Sequence, residues 1–281
     1  MANILISDED FLQKFREFFY RKTGIRFDDA KRYFVDKRLV ERIEANGLDG
    51  FRSYFTLLRF QASGAELQAL TNLMTVNETY FFREEYQFKC LVDSLLPELV
   101  QRKKPGTALR IWSIPSSSGE EPYSIALYLT EFWPGIAQWD VELISSDIDT
   151  DILKKARQGK YSARSVQNLP SRLLQRYFTK TADGEYQIAD DLRQAVEFTR
   201  VNLNDPADTR PYRGFDVIFC RNLLIYFDDL SRAKAAEVFY DALNPGGFIC
   251  LGHSESMSRI SSLFRVRKFP EAIVYQKPES R

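Results

Sequence analysis

Histidine, cysteine and net charge are all scarce in this chain. A single histidine, His253, stands among 281 residues, which nearly removes Ser-His and Cys-His nucleophilic pairs and histidine metal sites. Cys90, Cys220 and Cys250 are few, odd in number and far apart. That excludes a disulfide framework or a cysteine zinc site and fits a reducing cytosol. Lys and Arg number 39, and so do Asp and Glu; global electrostatics gives no argument for nucleic acid or membrane binding. No apolar run approaches the roughly 18 residues of a membrane span, and Met1-Ala-Asn-Ile lacks the basic start of a signal peptide. The expectation is a soluble cytoplasmic protein, without metal. What the chain does have is bulk: 44% hydrophobic and 14% aromatic residues can bury a large core, one large domain plus a small one.

One stretch organises the rest. Leu109 to Ile114 is a short apolar run rich in β-formers and reads as a buried strand. A small-residue loop follows, 115–119, and Pro122 stands where the first turn of a helix tolerates a missing N–H. The helix continues through Glu131, with Ile125, Leu129 and Phe132 on one stripe. Strand, tight loop and helix make the ligand-binding turn of a doubly wound α/β domain. The loop has one glycine instead of a dinucleotide fingerprint's three, and Glu120 and Glu121 sit where a pyrophosphate wants bare N–H groups. Two carboxylates there suit a ligand offering cationic or hydroxyl groups; equally, they complement the helix dipole.

Residues 8–74 show helical periodicity and no strand. Asp8 is the expected cap of a helix carrying Phe11, Phe15, Phe18 and Phe19, ended by Gly24. Asp28 or Asp29 opens a second helix to Ala45, on whose wheel Lys31, Arg38 and Arg42 share a narrow stripe. Such a stripe reads either as a solvated face or as a docking surface. Helices near 50–60 and 66–74 complete the module. The following stretch, Thr75 to Arg83, sets Asn77, Thr79 and Arg83 beside three consecutive aromatics at a junction of modules; it suits either a packed linker or a ligand site. An amphipathic helix over 86–102 then leads through a Lys-Lys-Pro-Gly break into the organising strand.

Strands and helices alternate from there. Val141 to Ser146 is the second strand and ends in Asp147-Ile-Asp149. An acid at this place accepts ribose hydroxyls, so Asp147 is assigned to a ribose and Asp149 to a helix cap. Residues 165–178 read as one helix. Asp183-Gly184 marks a hairpin, giving a small antiparallel insertion at about 177–199. Val196–Val201, Phe215–Cys220 and Phe248–Leu251 are further strands, with a helix over 231–243 before the last. The pieces around Pro270-Glu271 form a closing antiparallel pair. A parallel sheet closed by such a hairpin is the plan of class I S-adenosylmethionine-dependent methyltransferases, a Rossmann-like α/β fold, here following a small all-helical domain at 1–76 and occupying 77–281.

The motifs carry the comparison further. They are Asn77-Glu-Thr79-Tyr-Phe-Phe-Arg83, Ser118-Gly-Glu-Glu-Pro-Tyr-Ser124, Ser146-Asp-Ile-Asp149, Val201-Asn-Leu203, Phe219 through Phe227, and Gly252-His-Ser-Glu-Ser256. In this order they resemble the chemotaxis receptor methyltransferases of the CheR family, glutamate O-methyltransferases acting on chemoreceptors. The resemblance implies that Asn77, Thr79, Arg83, Glu121, Asp147, Asn202, Leu203, Arg221 and Asn222 contact S-adenosylmethionine and its product S-adenosylhomocysteine. It places Arg83 and Tyr226 nearest the transferred methyl, as the catalytic pair. It turns Lys31, Arg38 and Arg42 into a docking stripe for the acidic methylation helices of the receptor, and leaves His253 a structural residue.

Glutamate, with a pKa near 4.3, is ionised at neutral pH, so such a transfer needs no general base and the poverty of histidine is no obstacle. Two departures from the family stand out. Pro115 and serines shape a turn that glycines usually make, and the hairpin after Phe178 is short. The latter favours an enzyme acting without a pentapeptide tether; a monomer is expected. Other classes compatible with the scaffold are a non-catalytic S-adenosylmethionine-binding regulator and, poorly, a nicotinamide dehydrogenase.

Overall fold

A computed structural model describes residues 9–104 and 106–279; the expected cap Asp8 and Pro105 of the expected break lie outside them. The chain opens with α1 (Glu9–Thr23), α2 (Arg32–Ala45), α3 (Phe51–Phe60) and α4 (Ala65–Met74). Leu12, Phe15 and Phe19, at helical spacing, bury one face of α1 against Val35, Leu39, Tyr54 and Phe55. Gly24, at φ +74°, ends α1. Asp28 accepts from the Lys31 N–H at 3.2 Å and opens a 3₁₀ turn (Asp29–Lys31) ahead of α2.

That turn changes the basic stripe. Lys31 belongs to the 3₁₀ turn and is exposed, with Nζ 5.6 Å from the centroid of the Tyr226 ring. Arg38 donates to the Leu73 carbonyl at 3.1 Å. Arg42 forms a bidentate pair with buried Glu66, at 2.8 and 2.6 Å, and Tyr54 adds a hydroxyl bond of 2.8 Å to the same carboxylate. Burial pushes the Glu66 carboxyl up, but Arg42 and Tyr54 together hold it below the ordinary value. The expected basic stripe is therefore corrected at one position: Arg42 is an internal tie between α2, α3 and α4.

The helix expected over 86–102 runs as α5 (Tyr86–Cys90), a π turn (Leu91–Leu95) and α6 (Leu96–Val100). Pro97 accounts for the π turn, since its ring has no N–H and would press on the Asp93 carbonyl in a regular α register. The larger domain follows: β1 (Leu109–Ser113), α7 (Glu120–Phe132), β2 (Val141–Asp147), α8 (Thr150–Gln158), β3 (Lys160–Tyr161), α9 (Ala163–Val166) and α10 (Ser171–Tyr177). It continues through β4 (Phe178–Lys180), β5 (Tyr186–Ile188), α11 (Asp190–Gln194), β6 (Val196–Arg200), α12 (Pro206–Thr209) and β7 (Phe215–Cys220). The last elements are α13 (Asp229–Ala242), β8 (Leu243–Leu251), β9 (Arg265–Lys268) and β10 (Ile273–Gln276).

Seven strands form one sheet in the order β6-β2-β1-β7-β8-β10-β9, parallel in every pairing except the two made by β10, the strand that runs against the rest. Period-two alternation splits its core between two faces. Ile111, Val217 and Phe219 meet α7 and the π turn, whereas Trp112, Ile218 and Cys220 meet α13. Strand order reverses beside β1, which lies between β2 and β7, and a doubly wound sheet binds ligands at that edge.

Four expectations change in detail. Helix 165–178 is two helices, because Pro170 interrupts it. The antiparallel insertion ends at Ile188: β6 belongs to the main sheet, paired with β2, while the small sheet gains β3 in the order β3-β5-β4. Two residues of strand are too short to leave a periodic signal. The strand expected over Phe248–Leu251 begins earlier, at Leu243, and carries a bulge where pairing jumps from Phe215 with Leu243 to Val217 with Phe248. Finally, α7 is buried nearly all round from Tyr123 to Leu129, whereas Phe132 stays exposed.

Arg42→Ala should cost about 2–3 kcal/mol of unfolding free energy, because it strands a buried carboxylate. Urea unfolding measures this, and adding Glu66→Gln should recover part of the loss. An unchanged midpoint for Arg42→Ala would make the pair a surface ornament.

Candidate active site

The C-terminal edges of β1, β2, β6 and β7 face the helical layer across a cavity of about 550 Å³. Phe27, Ala30 and Phe34 give it an apolar wall from the helical layer. All nine residues proposed for the cofactor and both proposed for catalysis line it, and so does Lys31; Arg38 and Arg42 do not. With Lys31, six separate stretches of sequence thus converge on one space.

Two adjacent pairs of acids separate in role. Glu120 turns away from the cavity, buried between the hydroxyls of Ser118 at 2.6 Å and Ser165 at 2.7 Å. Burial pushes its carboxyl up, and these hydroxyls only partly offset that. Glu121 lines the cavity and binds Ser113 Oγ at 2.9 Å and Arg221 Nη1 at 3.0 Å. The expectation of two acids facing one ligand is therefore corrected to one, since successive helical residues point about 100° apart. At the end of β2, Asp149 accepts the Asp151 and Ile152 N–H groups at 2.9 and 3.0 Å, capping α8. Its other oxygen holds Thr75 at 2.7 Å and Asn77 at 2.9 Å, pinning the linker to the sheet. Asp147 instead lines the cavity, accepting from Ser117 N at 2.8 Å and Asp149 N at 3.0 Å. Burial pushes its carboxyl up to about 6, against those two bonds.

The turn after β1 contains a cis Ile114–Pro115 bond and sets Ser117 at φ +48° and Gly119 at φ +97°. A side chain at Gly119 would also press on Tyr123 and on the Tyr161 hydroxyl, each 3.0 Å from a built Cβ. Glycine is needed there even though the rest of the turn is made of serine and proline.

Arg221 is the buried cation of the site, 4% exposed. Besides Glu121 it donates to the Arg83 carbonyl, and Glu84 lies 3.5 Å from Nη2. The Arg83 side chain reaches the Glu78 carbonyl at 2.9 Å and lies over Tyr80. Its neighbours Phe82 and Glu84 have φ +59° and +53°, uncommon for such side chains. Buried Phe81 and Phe82 hold the segment in place against Tyr161, Phe178 and Tyr128. Thr79 and Leu203 complete the wall. The Asn202 amide donates to the Lys22 carbonyl at 2.6 Å, and Asn204 to Arg21 at 2.7 Å, so both cap the end of α1. Tyr226 is half-buried; burial raises its hydroxyl above the ordinary value and the charge of Arg83 pulls the other way.

Sequence reasoning missed two carboxylates behind the wall, Glu84 and Glu255. Glu255 accepts from Asn222 N, Leu224 N and Gly252 N, each at 2.8 Å, and fixes the turn in which Asn222 has φ +57°. Its only sequence signal was membership of the Gly252–Ser256 motif. His253 is exposed, and its N–H donates to Glu84 at 3.1 Å. Among the described residues no cluster of His, Cys, Asp or Glu is arranged to hold a metal ion, and no helix is long and apolar enough to cross a membrane.

Glu255→Ala leaves three inward N–H groups without their acceptor and should lower stability by about 1–3 kcal/mol. Thermal unfolding tests this, and an unaltered midpoint would mean that the turn holds itself.

Comparison with known proteins agrees with this geometry. The family model "CheR methyltransferase, all-alpha domain" matches residues 10–75, and "CheR methyltransferase, SAM binding domain" matches 77–273. The chain is 60% identical over 278 residues to chemotaxis protein methyltransferase 2 of Vibrio cholerae, covering 99% of this chain and 96% of that protein. It is 40% identical to chemotaxis protein methyltransferase 2 of Pseudomonas aeruginosa, over 92% of this chain and 90% of the relative. With the chemotaxis protein methyltransferase of Salmonella typhimurium it shares 38% identity, over 94% and 89%. With both domain models matched in order, the chain belongs to the CheR methyltransferase family and carries that family's S-adenosylmethionine-binding domain.

Proposed function

We propose that this protein methylates glutamate side chains on the cytoplasmic part of chemoreceptors, acting as a monomer in the cytoplasm without a pentapeptide tether. The observation that carries the reading is the convergence of Arg83, Tyr226 and Lys31 on one cavity with Asp147 and Glu121. The residues present fit S-adenosylmethionine. Asp147 offers a carboxylate to ribose hydroxyls, Glu121 an acid to the amino group, and Phe27, Phe34 and Leu203 an apolar surface to a purine. Ser117 Oγ and Arg221 Nε are buried at this cavity and find no partner among the described residues, as expected of atoms kept for a ligand. When bound, the cofactor supplies a methyl group activated by a sulfonium.

The chain's own residues then have to position and to exclude water. The acceptor glutamate is already ionised, so no residue removes a proton. Tyr226 keeps its proton, since burial raises its hydroxyl; it donates one hydrogen bond to the incoming carboxylate while its ring closes the pocket. Arg83 acts as a charge and alignment element. A bidentate grip on the carboxylate would blunt the nucleophile, and its tie to Glu78 and Tyr80 directs it elsewhere. For receptor docking, exposed Lys31 and half-buried Arg38 remain, whereas Arg42 is committed to Glu66. The hairpin of β4 and β5, with three residues to a strand, supports tether-free action. Labelled S-adenosylmethionine with receptor cytoplasmic fragments tests the reaction: base-labile label on the fragment is expected, and base-stable label or none would overturn the reading.

Asp147 generates a pH prediction. In the free protein its carboxyl sits at about 6, above the ordinary 3.8. Ribose hydroxyls donate to the ionised form, so cofactor affinity should be flat above about pH 7 and fall as pH drops through 6, approaching tenfold per unit. Asp147→Asn should flatten that profile and cost about 1.5–3 kcal/mol at pH 8. Calorimetry from pH 5 to 8 decides, and a flat wild-type profile would remove Asp147 from the ribose.

Tyr226→Phe should keep fold and cofactor affinity but slow single-turnover methyl transfer by roughly tenfold, about 1.4 kcal/mol of transition-state stabilisation. An unchanged rate would reduce Tyr226 to packing.

A further inference from the structure

Glu84 takes no part in the cavity wall, yet four donors from three segments converge on one of its oxygens. Oε2 accepts from Gln87 Nε2 at 3.0 Å, from the His253 N–H at 3.1 Å and from the Tyr86 hydroxyl at 3.2 Å, and Arg221 Nη2 stands 3.5 Å away. Gln87 continues the link, donating to the Leu251 carbonyl at 2.7 Å. The carboxylate thereby joins the end of β8 to the start of α5 and to the buried cation that follows β7. Arg221, in turn, donates to the backbone carbonyl of Arg83. Glu84 also holds φ +53°, and Phe82 on the far side of Arg83 holds +59°. Arg83 is thus carried between two left-handed residues, a conformation that persists only where the surroundings over-determine it. The aromatic packing of Phe81 and Phe82 fixes one side of that segment. On the other side the fixing group is the Glu84 carboxylate.

We infer that Glu84 is a positioning residue for methyl transfer, holding Arg83 in register with the cavity through Arg221 and the loop after β8. The inference rests on the reading of Arg83 given above. Loss of a group that merely stabilised the fold would lower the melting temperature and leave the chemistry of the folded enzyme alone. A positioning group acts on the rate, and only while Arg83 is present.

The test is a double-mutant cycle of Glu84→Gly and Arg83→Ala, read as single-turnover methyl transfer to a receptor fragment. Glycine takes up φ +53° at no steric cost, so the variant removes the carboxylate without forbidding the local backbone. Each single variant should be slower by about tenfold or more, and the Glu84 variant should keep cofactor affinity within about threefold of wild type. The double variant should be no slower than Arg83→Ala alone, since residues acting as one unit are non-additive. Should the glycine variant fail to fold, Glu84→Gln runs the same cycle: it keeps an oxygen for the neutral donors and loses the charge facing Arg221. A wild-type rate for the Glu84 variant, or additive losses in the double variant, overturns the inference while leaving the reading of Arg83 in place. A wild-type rate for Arg83→Ala overturns that reading, and the inference with it.

Discussion

The Arg221 guanidinium is the interaction on which the site's architecture depends. A buried cation is expensive unless it is paired and hydrogen-bonded. Arg221 meets that demand at its two terminal nitrogens with Glu121 from α7, the Arg83 carbonyl from the linker and Glu84 behind it. It also lies over the Phe88 ring, 5.3 Å from the centroid. These groups come from different parts of the chain, so the terminal nitrogens of the guanidinium are paired only when all of them are in place. Such a pair contributes little net stability compared with an apolar core. Its effect is positional: the loop after β7 and the linker cannot move independently of the first turn of α7.

Neighbouring acids in this protein are separated by geometry, and that separation makes the site chemically asymmetric. Glu120 and Asp149 are spent on the scaffold, one among serine hydroxyls and the other on the α8 cap and the linker. Glu121 and Asp147 are left at the cavity. One of these meets a guanidinium and the other only N–H groups, so their preferences for charge differ. A ligand with a cationic end and a hydroxylated end would be read in one orientation.

The cavity exists only where two layers meet. Asn202 and Asn204 cap the carbonyl end of α1, Tyr20 donates to Asp228 at 3.0 Å, and Ile25 pairs with Phe227 in an antiparallel bridge. The helical layer is thus fastened next to the pocket, and Ile25, Asn202 and Phe227 among these groups also line its wall. This gives the asparagine of the Val201–Leu203 motif a task beyond any ligand contact: its amide is already engaged with α1.

Much of this was legible in the sequence because it is local. Short apolar runs mark β1, β2 and β7, Asp183-Gly184 marks the hairpin, and Asp149 followed by an amphipathic run marks a cap. The motifs, taken in order, also selected the residues that line the cavity and carried the resemblance to the family. Tertiary structure decided everything that depends on which groups meet across the chain. It committed Arg42 to Glu66, 24 residues away, and drew Arg221 to Glu121, 100 residues away. It turned Glu120 inward and recruited Glu84 and Glu255 as supports, although neither carries a signal in spacing or composition. A helix wheel reports the direction of a side chain but not its partner. For a charged group the partner decides whether it is a free cation, a cap or a strut, because pairing outweighs residue type once water is excluded.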